Sequence, residues 1–154
     1  MTRETNARRI LAIDYGRRRI GLAISDELGL TARPLGTVLR VNRRADLRRL
    51  AQVCLEHSVG RIVVGHPLHL SGEAGEMAAE AARFAAKLRK ETGIETELVD
   101  ERLTSWEAER AVAESPSSRR RRRGALDDIA AAVLLREYLG RRNSRASENT
   151  AETH

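Results

Sequence analysis

The acids of this 154-residue chain with most capacity for chemistry stand where apolar runs end. Asp14 closes the run that begins at Ile10, Asp100 and Glu101 follow ETELV, and Asp127 opens the last amphipathic stretch, with Asp128 beside it. A carboxylate next to a buried strand is unfavourable unless a cation or hydrogen bonds compensate it. Oxygen-only donors suit a hard divalent cation, so the expected cofactor is Mg2+ or Mn2+. Such an ion polarises a phosphodiester and makes a nucleophile of water, and a pair of ions clamps the attacking and leaving oxygens.

Each acidic position also has cationic neighbours. Arg17, Arg18 and Arg19 follow Asp14, Arg102 follows Glu101, and Arg119, Arg120, Arg121, Arg122 and Arg123 precede Asp127. Guanidinium forks bind phosphate oxygens and would hold a polyanion that the carboxylates alone repel. Structural readings stand beside these. Asp14 could cap a turn, Asp100 or Glu101 could pair with Arg102, and acids in a first helical turn are favoured by the dipole. The arginine run could be a solvated face. The co-occurrence of the acids, more than any one of them, points to a phosphodiester site. His66 and His69 lie in a Gly/Pro/Ser loop and are not expected to act in catalysis.

Positioning these residues takes five extended segments and several helices. Ile10–Tyr15 and Ile20–Ser25 read as a hairpin, and Leu30–Leu39 as a third strand, with Pro34 suited to an edge or a bulge. Arg44–His57 carries the apolar stripe Leu47, Leu50, Ala51, Cys54 and Leu55, an amphipathic helix that Gly60 is expected to end. Arg61–Gly65 suits a buried parallel strand. Met77, Ala81, Phe84, Ala85 and Leu88 mark the next helix, closed by Gly93, and Glu95–Asp100 is the fifth strand. Thr104 and Glu107 form a capping box after Leu103, predicting a helix from Ser105 to about Glu114. Residues 115–124 read as an arginine-rich loop, and the final helix as Leu126–Leu139. The result is an α/β chain with a mixed five-stranded sheet flanked by helices, in which parallel strand C-termini converge on one edge. Residues 1–140 are expected to form one domain, and 141–154 a disordered polar tail.

Composition fits a globular domain of this kind, with 41% hydrophobic and 32% charged residues. A 3% aromatic share argues against base stacking as the main mode of recognition. The net charge of +6, carried mostly by arginine, fits a polyanionic partner, and codon bias offers a second source for the arginine excess. Cys54 stands alone, which excludes a disulfide framework and a thiolate zinc site. MTRETNARR has no signal-peptide character and no run approaches membrane-spanning length, so the expected location is cytoplasmic, with no membrane partner.

IDYGRRRIGLAISD, IVVGHPLHLSGEAG, VDERLTSWEAE and DDIAAAVLLREYL together resemble the YqgF/RuvX family of Holliday-junction-resolvase-like nucleases. The resemblance covers about Ile10 to Leu139. It implies an RNase H-like fold and a role in maturing the 5′ end of pre-16S rRNA within the pre-ribosome, resolvase action on branched DNA being the older inference from fold. By position it makes Asp14, Asp100, Glu101 and Asp127 the catalytic and metal-binding acids, Asp128 a substitute candidate, and Arg102 part of the DER motif. His66 and His69–Ser71 depart from the family pattern. The leading expectation is a metal-dependent endonuclease on structured RNA, monomeric or homodimeric. The alternatives are a branched-DNA endonuclease, a non-catalytic RNA-binding assembly factor and an actin-like ATPase, the last disfavoured because the chain is too short for a second lobe.

Overall fold

The two apolar runs around the three-arginine turn pair as a hairpin of β1 (Arg9–Tyr15) and β2 (Arg19–Ser25), with Asp14 directly opposite Gly21. The computed structural model describes residues 8–66, 72–100 and 123–153, with side chains over 8–65, 75–99 and 127–145. In it the hairpin lies inside a five-stranded sheet of order β3-β2-β1-β4-β5. β3 (Ala32–Leu39) is antiparallel to β2, whereas β4 (Val59–His66) runs parallel to β1 and β5 (Glu95–Asp100) parallel to β4. The helices are α1 (Arg43–Glu56), α2 (Gly72–Thr92) and α3 (Arg123–Thr153).

Period-2 alternation divides the strand residues between two unequal layers. Leu11, Ile13, Tyr15, Ile20, Leu22 and Ile24 face α1 and α2, where Leu50, Phe84 and Leu88 fill the space. Ile10, Ala12, Ala23, Val63 and Val99 face α3, which answers with Ala131, Ala132, Leu134, Leu135 and Leu139. Small residues on both sides of this second layer let α3 approach the sheet closely. The approach is tightest at Gly21, where a Cβ would overlap the backbone carbonyl of Asp127. The second turn of α3, at Asp127, is thereby held over β2, on the row that contains Asp14.

The mixed five-stranded sheet and the edge role of Pro34 are as expected. The register of β2 on β3 shifts between Leu22↔Gly36 and Ala23↔Pro34, leaving Leu35 as the bulge on the outer strand. Several boundaries differ. α2 begins at Gly72, and α3 begins at Arg123 rather than Leu126, so Arg123 and Gly124, expected in the arginine-rich loop, are helical and Asp127 lies in the second turn of its helix. α1 ends at Glu56 with His57 as its C-cap, and Ser58 takes a positive φ of 54°, so β4 begins at Val59 with Gly60 inside it. β3 starts at Ala32, because Asp26 accepts the Leu30 and Thr31 N–H groups at 2.7 and 2.9 Å and turns the chain there. Past Gly140 the chain stays helical to Thr153, where composition predicts a disordered tail. Residues 140–145 are exposed, so propagation from the packed turns before them, rather than burial, sustains that extension. The expected helix over 105–114 and the loop residues 115–122 lie outside the described residues.

Gly21→Ala tests the close approach. The added methyl meets backbone that cannot rotate away, and the variant is expected to lose about 3 kcal/mol of stability by chemical denaturation, an overpacking effect. Wild-type stability in this variant would overturn the contact.

Candidate active site

Asp14 sits in the row Gly21–Asp14–Gly65–Val99 across four strands. Strand alternation puts it on the face shared by Ile10, Ala12 and Val99, under α3. Two of its row partners are glycines, and the carboxylate is partly exposed. The α3 turn resting on Gly21 brings Asp127 to the same place. The Asp127 backbone, 113 positions further along the chain, thus rests on Gly21, the residue directly opposite Asp14 at the C-terminal end of β1.

A cation already lies on Asp127. Arg19, first residue of β2 and on the α3 face, donates its Nε–H to Asp127 Oδ2 at 2.6 Å, with both side chains about three-quarters buried (27% and 28% exposed). A charge-assisted bond of this length is among the stronger kinds. Arg17 and Arg18 occupy the turn itself and are exposed.

Asp128 has a different task. Its carboxylate takes the N–H of Gly36, at the bulge of β3 where φ is +115°. Burial raises its pKa above the ordinary carboxylate range despite that hydrogen bond, and the Asp127 charge raises it further. Asp128 fastens α3 to the outer strand, and Asp127 alone of the two is directed to Arg19.

The other sequence candidates divide by position. Asp100 is the last residue of β5 and pairs with His66, one row beyond Gly65–Val99, so its backbone reaches the same sheet edge. Arg123 begins α3. Glu101, Arg102, Arg119, Arg120, Arg121, Arg122 and His69 lie outside the described residues. Among the described residues no three His, Cys, Asp or Glu side chains form a metal-holding group. Asp14 and Asp127 supply hard oxygen donors, and the guanidinium at Asp127 marks a place where positive charge is stabilised. Those two residues fit a divalent cation, and the expected third donor falls on Asp100 or Glu101.

Sequence reasoning missed a second cluster on the opposite face of the hairpin. Arg40 Nη2 donates to Glu80 Oε2 at 3.0 Å, Tyr15 Oη donates to the same oxygen at 3.1 Å, and the Arg40 guanidinium stacks 4.6 Å over the Tyr15 ring. Asp46, only 2% exposed, faces Arg40 Nε at 3.7 Å and accepts the Val41 N–H at 3.0 Å. Burial pushes the Tyr15 phenol up to about 12, reinforced by Glu80 and opposed by Arg40. For Glu80, burial pushes the pKa up, but the Arg40 and Tyr15 hydrogen bonds together outweigh it and hold the carboxyl below its ordinary value. A signal existed: Glu80 falls on the Met77–Phe84 stripe and Asp46 on the Leu47–Cys54 stripe, charges at core positions.

The RuvX family, described as Holliday junction resolvase, matches residues 8–141. The chain belongs to the RuvX family. Among its relatives, a protein of Koribacter versatilis is 47% identical over 134 residues, covering 87% of this chain and 88% of its own length. One of Syntrophus aciditrophicus is 44% identical over 131 residues, covering 85% and 87%. Both carry the name pre-16S rRNA nuclease. Solved structures with the same fold include Thermus thermophilus RuvC with a Holliday junction substrate, at 15% identity, TM-score 0.50 and coverage of 82% of this chain and 91% of that one. The fowlpox virus Holliday junction resolvase gives 14% identity, TM-score 0.51 and coverage of 86% and 98%. The RNase H-like fold implied by the resemblance is the fold of this RuvX-family chain. No helix among its described residues is long and apolar enough to cross a membrane.

The Glu80 ion pair sets a pH dependence of stability. A carboxyl lowered in the folded state binds protons better when unfolded, so stability rises with pH through that window. Its contribution is full above the unfolded value and disappears as pH falls through the folded one. Glu80→Gln is expected to lower Tm at neutral pH, with the gap to wild type closing in acid. A gap that widens in acid would contradict the assignment.

Proposed function

We propose that this RuvX-family nuclease, a phosphodiester hydrolase by family, is a metal-dependent endonuclease that cuts structured RNA at the 5′ end of pre-16S rRNA. The observation that carries this reading is the packing of the Asp127 backbone on Gly21, opposite Asp14, with Arg19 bonded to Asp127 and Arg17 and Arg18 exposed in the adjoining turn. The names of the relatives support the RNA substrate.

Asp14 and Asp127, with Asp100 or Glu101, would hold Mg2+ or Mn2+. When bound, the metal supplies charge stabilisation at the phosphoryl oxygens and a lowered pKa for water. The chain's own residues do the rest. Arg17 and Arg18 would hold phosphates flanking the scissile bond, and Arg102 with Arg119–Arg123 would extend that contact. Arg19 keeps the Asp127 carboxylate oriented and its charge compensated. The place of action is the cytoplasm, with a pre-ribosome as the partner.

The test incubates wild type, Asp14→Asn, Asp127→Asn and Asp128→Asn with end-labelled pre-16S rRNA fragment, a four-way DNA junction and Mg2+ or Mn2+. Wild type is expected to cut the RNA at a discrete position. Asp14→Asn and Asp127→Asn are expected to lose about a hundredfold or more in rate, the scale of several kcal/mol of lost charge stabilisation. Asp128→Asn retains cleavage, since an amide oxygen still accepts the Gly36 N–H. Cutting of the junction alone would favour the DNA reading. Unimpaired rRNA maturation in cells carrying only Asp14→Asn would establish a non-catalytic role.

A further inference from the structure

The β1–β2 turn carries Arg17 and Arg18 at the edge of the site, yet nothing within a four-residue turn fixes its direction. Within it the Gly16 N–H bonds Arg19 O at 3.0 Å. The remaining constraint comes from Arg40, which follows β3. The Arg40 N–H bonds Arg18 O at 2.9 Å, and its Nη1 donates to Gly16 O at 3.1 Å and to Arg17 O at 3.0 Å. One residue thus holds three successive carbonyls of the turn.

Arg40 is itself fixed from three sides. Glu80 of α2 takes Nη2, the Tyr15 ring lies under the guanidinium, and buried Asp46 of α1 faces Nε. The guanidinium side chain is 19% exposed, so its role is inward, toward the turn, rather than toward a ligand. Because its donors go to main-chain oxygens, the side chains of Arg17 and Arg18 stay exposed. Two residues after Arg40, Asn42 caps α1 by accepting the Ala45 N–H at 2.8 Å, and Arg43 and Arg44 are exposed in the first turn of that helix. Turn and helix start are therefore locked together with cations along one edge.

We propose that Arg40 is a positioning residue that fixes the 16–18 turn against the first turn of α1, so that Arg17, Arg18, Arg43 and Arg44 form one edge for the phosphate backbone of a structured RNA. The inference deepens the nuclease reading and rests on it. Cationic side chains held in a fixed array engage successive phosphates with less ordering on binding than the same charges on a loose turn.

A double-mutant cycle tests it, reading binding of a fluorescein-labelled RNA hairpin in EDTA across a salt series. Arg40→Gln is expected to weaken binding about fivefold in the wild-type background but less than about twofold beside Arg17→Ala/Arg18→Ala, because coupled residues are non-additive. The slope of log affinity against log salt should fall by about one for Arg40→Gln, as if one phosphate contact were lost. Arg40→Lys keeps a cation beside Asp46 but cannot span the carbonyls and Glu80. It should therefore still melt cooperatively, at a Tm between those of wild type and Arg40→Gln, while matching Arg40→Gln in RNA affinity, and it supplies the cycle if Arg40→Gln does not fold. Additive losses, or full affinity in Arg40→Lys, would overturn the positioning role while leaving the nuclease reading intact. A wild-type protein that binds no RNA would instead overturn the nuclease reading.

Discussion

A helix terminus that must touch strand backbone is the constraint from which the rest of the structure follows. The second turn of α3, at Asp127, rests on β2 at Gly21 with no space for a Cβ, and every neighbouring choice accommodates it. Ala12 and Ala23 on the sheet, and Ala131 and Ala132 on the helix, thin this layer at the expense of apolar area. The opposite layer restores that area with Phe84, Leu50, Leu88 and the large aliphatic residues of the hairpin. The asymmetry of the core is thus tied to the site, because only a thin layer brings the Asp127 backbone down onto Gly21, opposite Asp14.

The hairpin is also held electrostatically from both faces, and by arginine each time. On the thin side Arg19 reaches across to Asp127, and on the thick side Arg40 joins Glu80, Asp46 and the Tyr15 ring. Charges this far out of water are tolerated because each has a partner, and removing one partner strands the other. The turn between the two clamps is left with its cationic side chains in solvent. Rigid support beneath exposed charge is a sensible arrangement for gripping a polyanion.

Much of this was legible in the residues. Asp14 stood out because an acid in an otherwise apolar strand needs a reason, and four strand-length runs plus a proline-bearing fifth predicted the sheet. What could not be read was which long-range partner each charge takes. Asp127 and Asp128 are chemically identical neighbours, and only their contacts, Arg19 for one and the Gly36 N–H for the other, separate them. Arg40 looked like one surface arginine among many, although Glu80 and Asp46 on core stripes carried a signal of its role. The length of α3 is not legible past Gly140, where polar composition and weak helix formers such as Asn143 and Ser144 both argue against a helix that propagates from the packed turns before them.

The outer strand has a consequence for assembly. β3 borders the sheet, and Pro34, the Leu35 bulge and Gly36 together interrupt the repeat of donors and acceptors along its free side. A border broken in this way cannot zip onto another strand, so continuation of the sheet from one molecule into the next is blocked there. Any pairing of two copies, such as symmetric scission of a four-armed substrate would demand, has to be built from helices or from the β5 border instead.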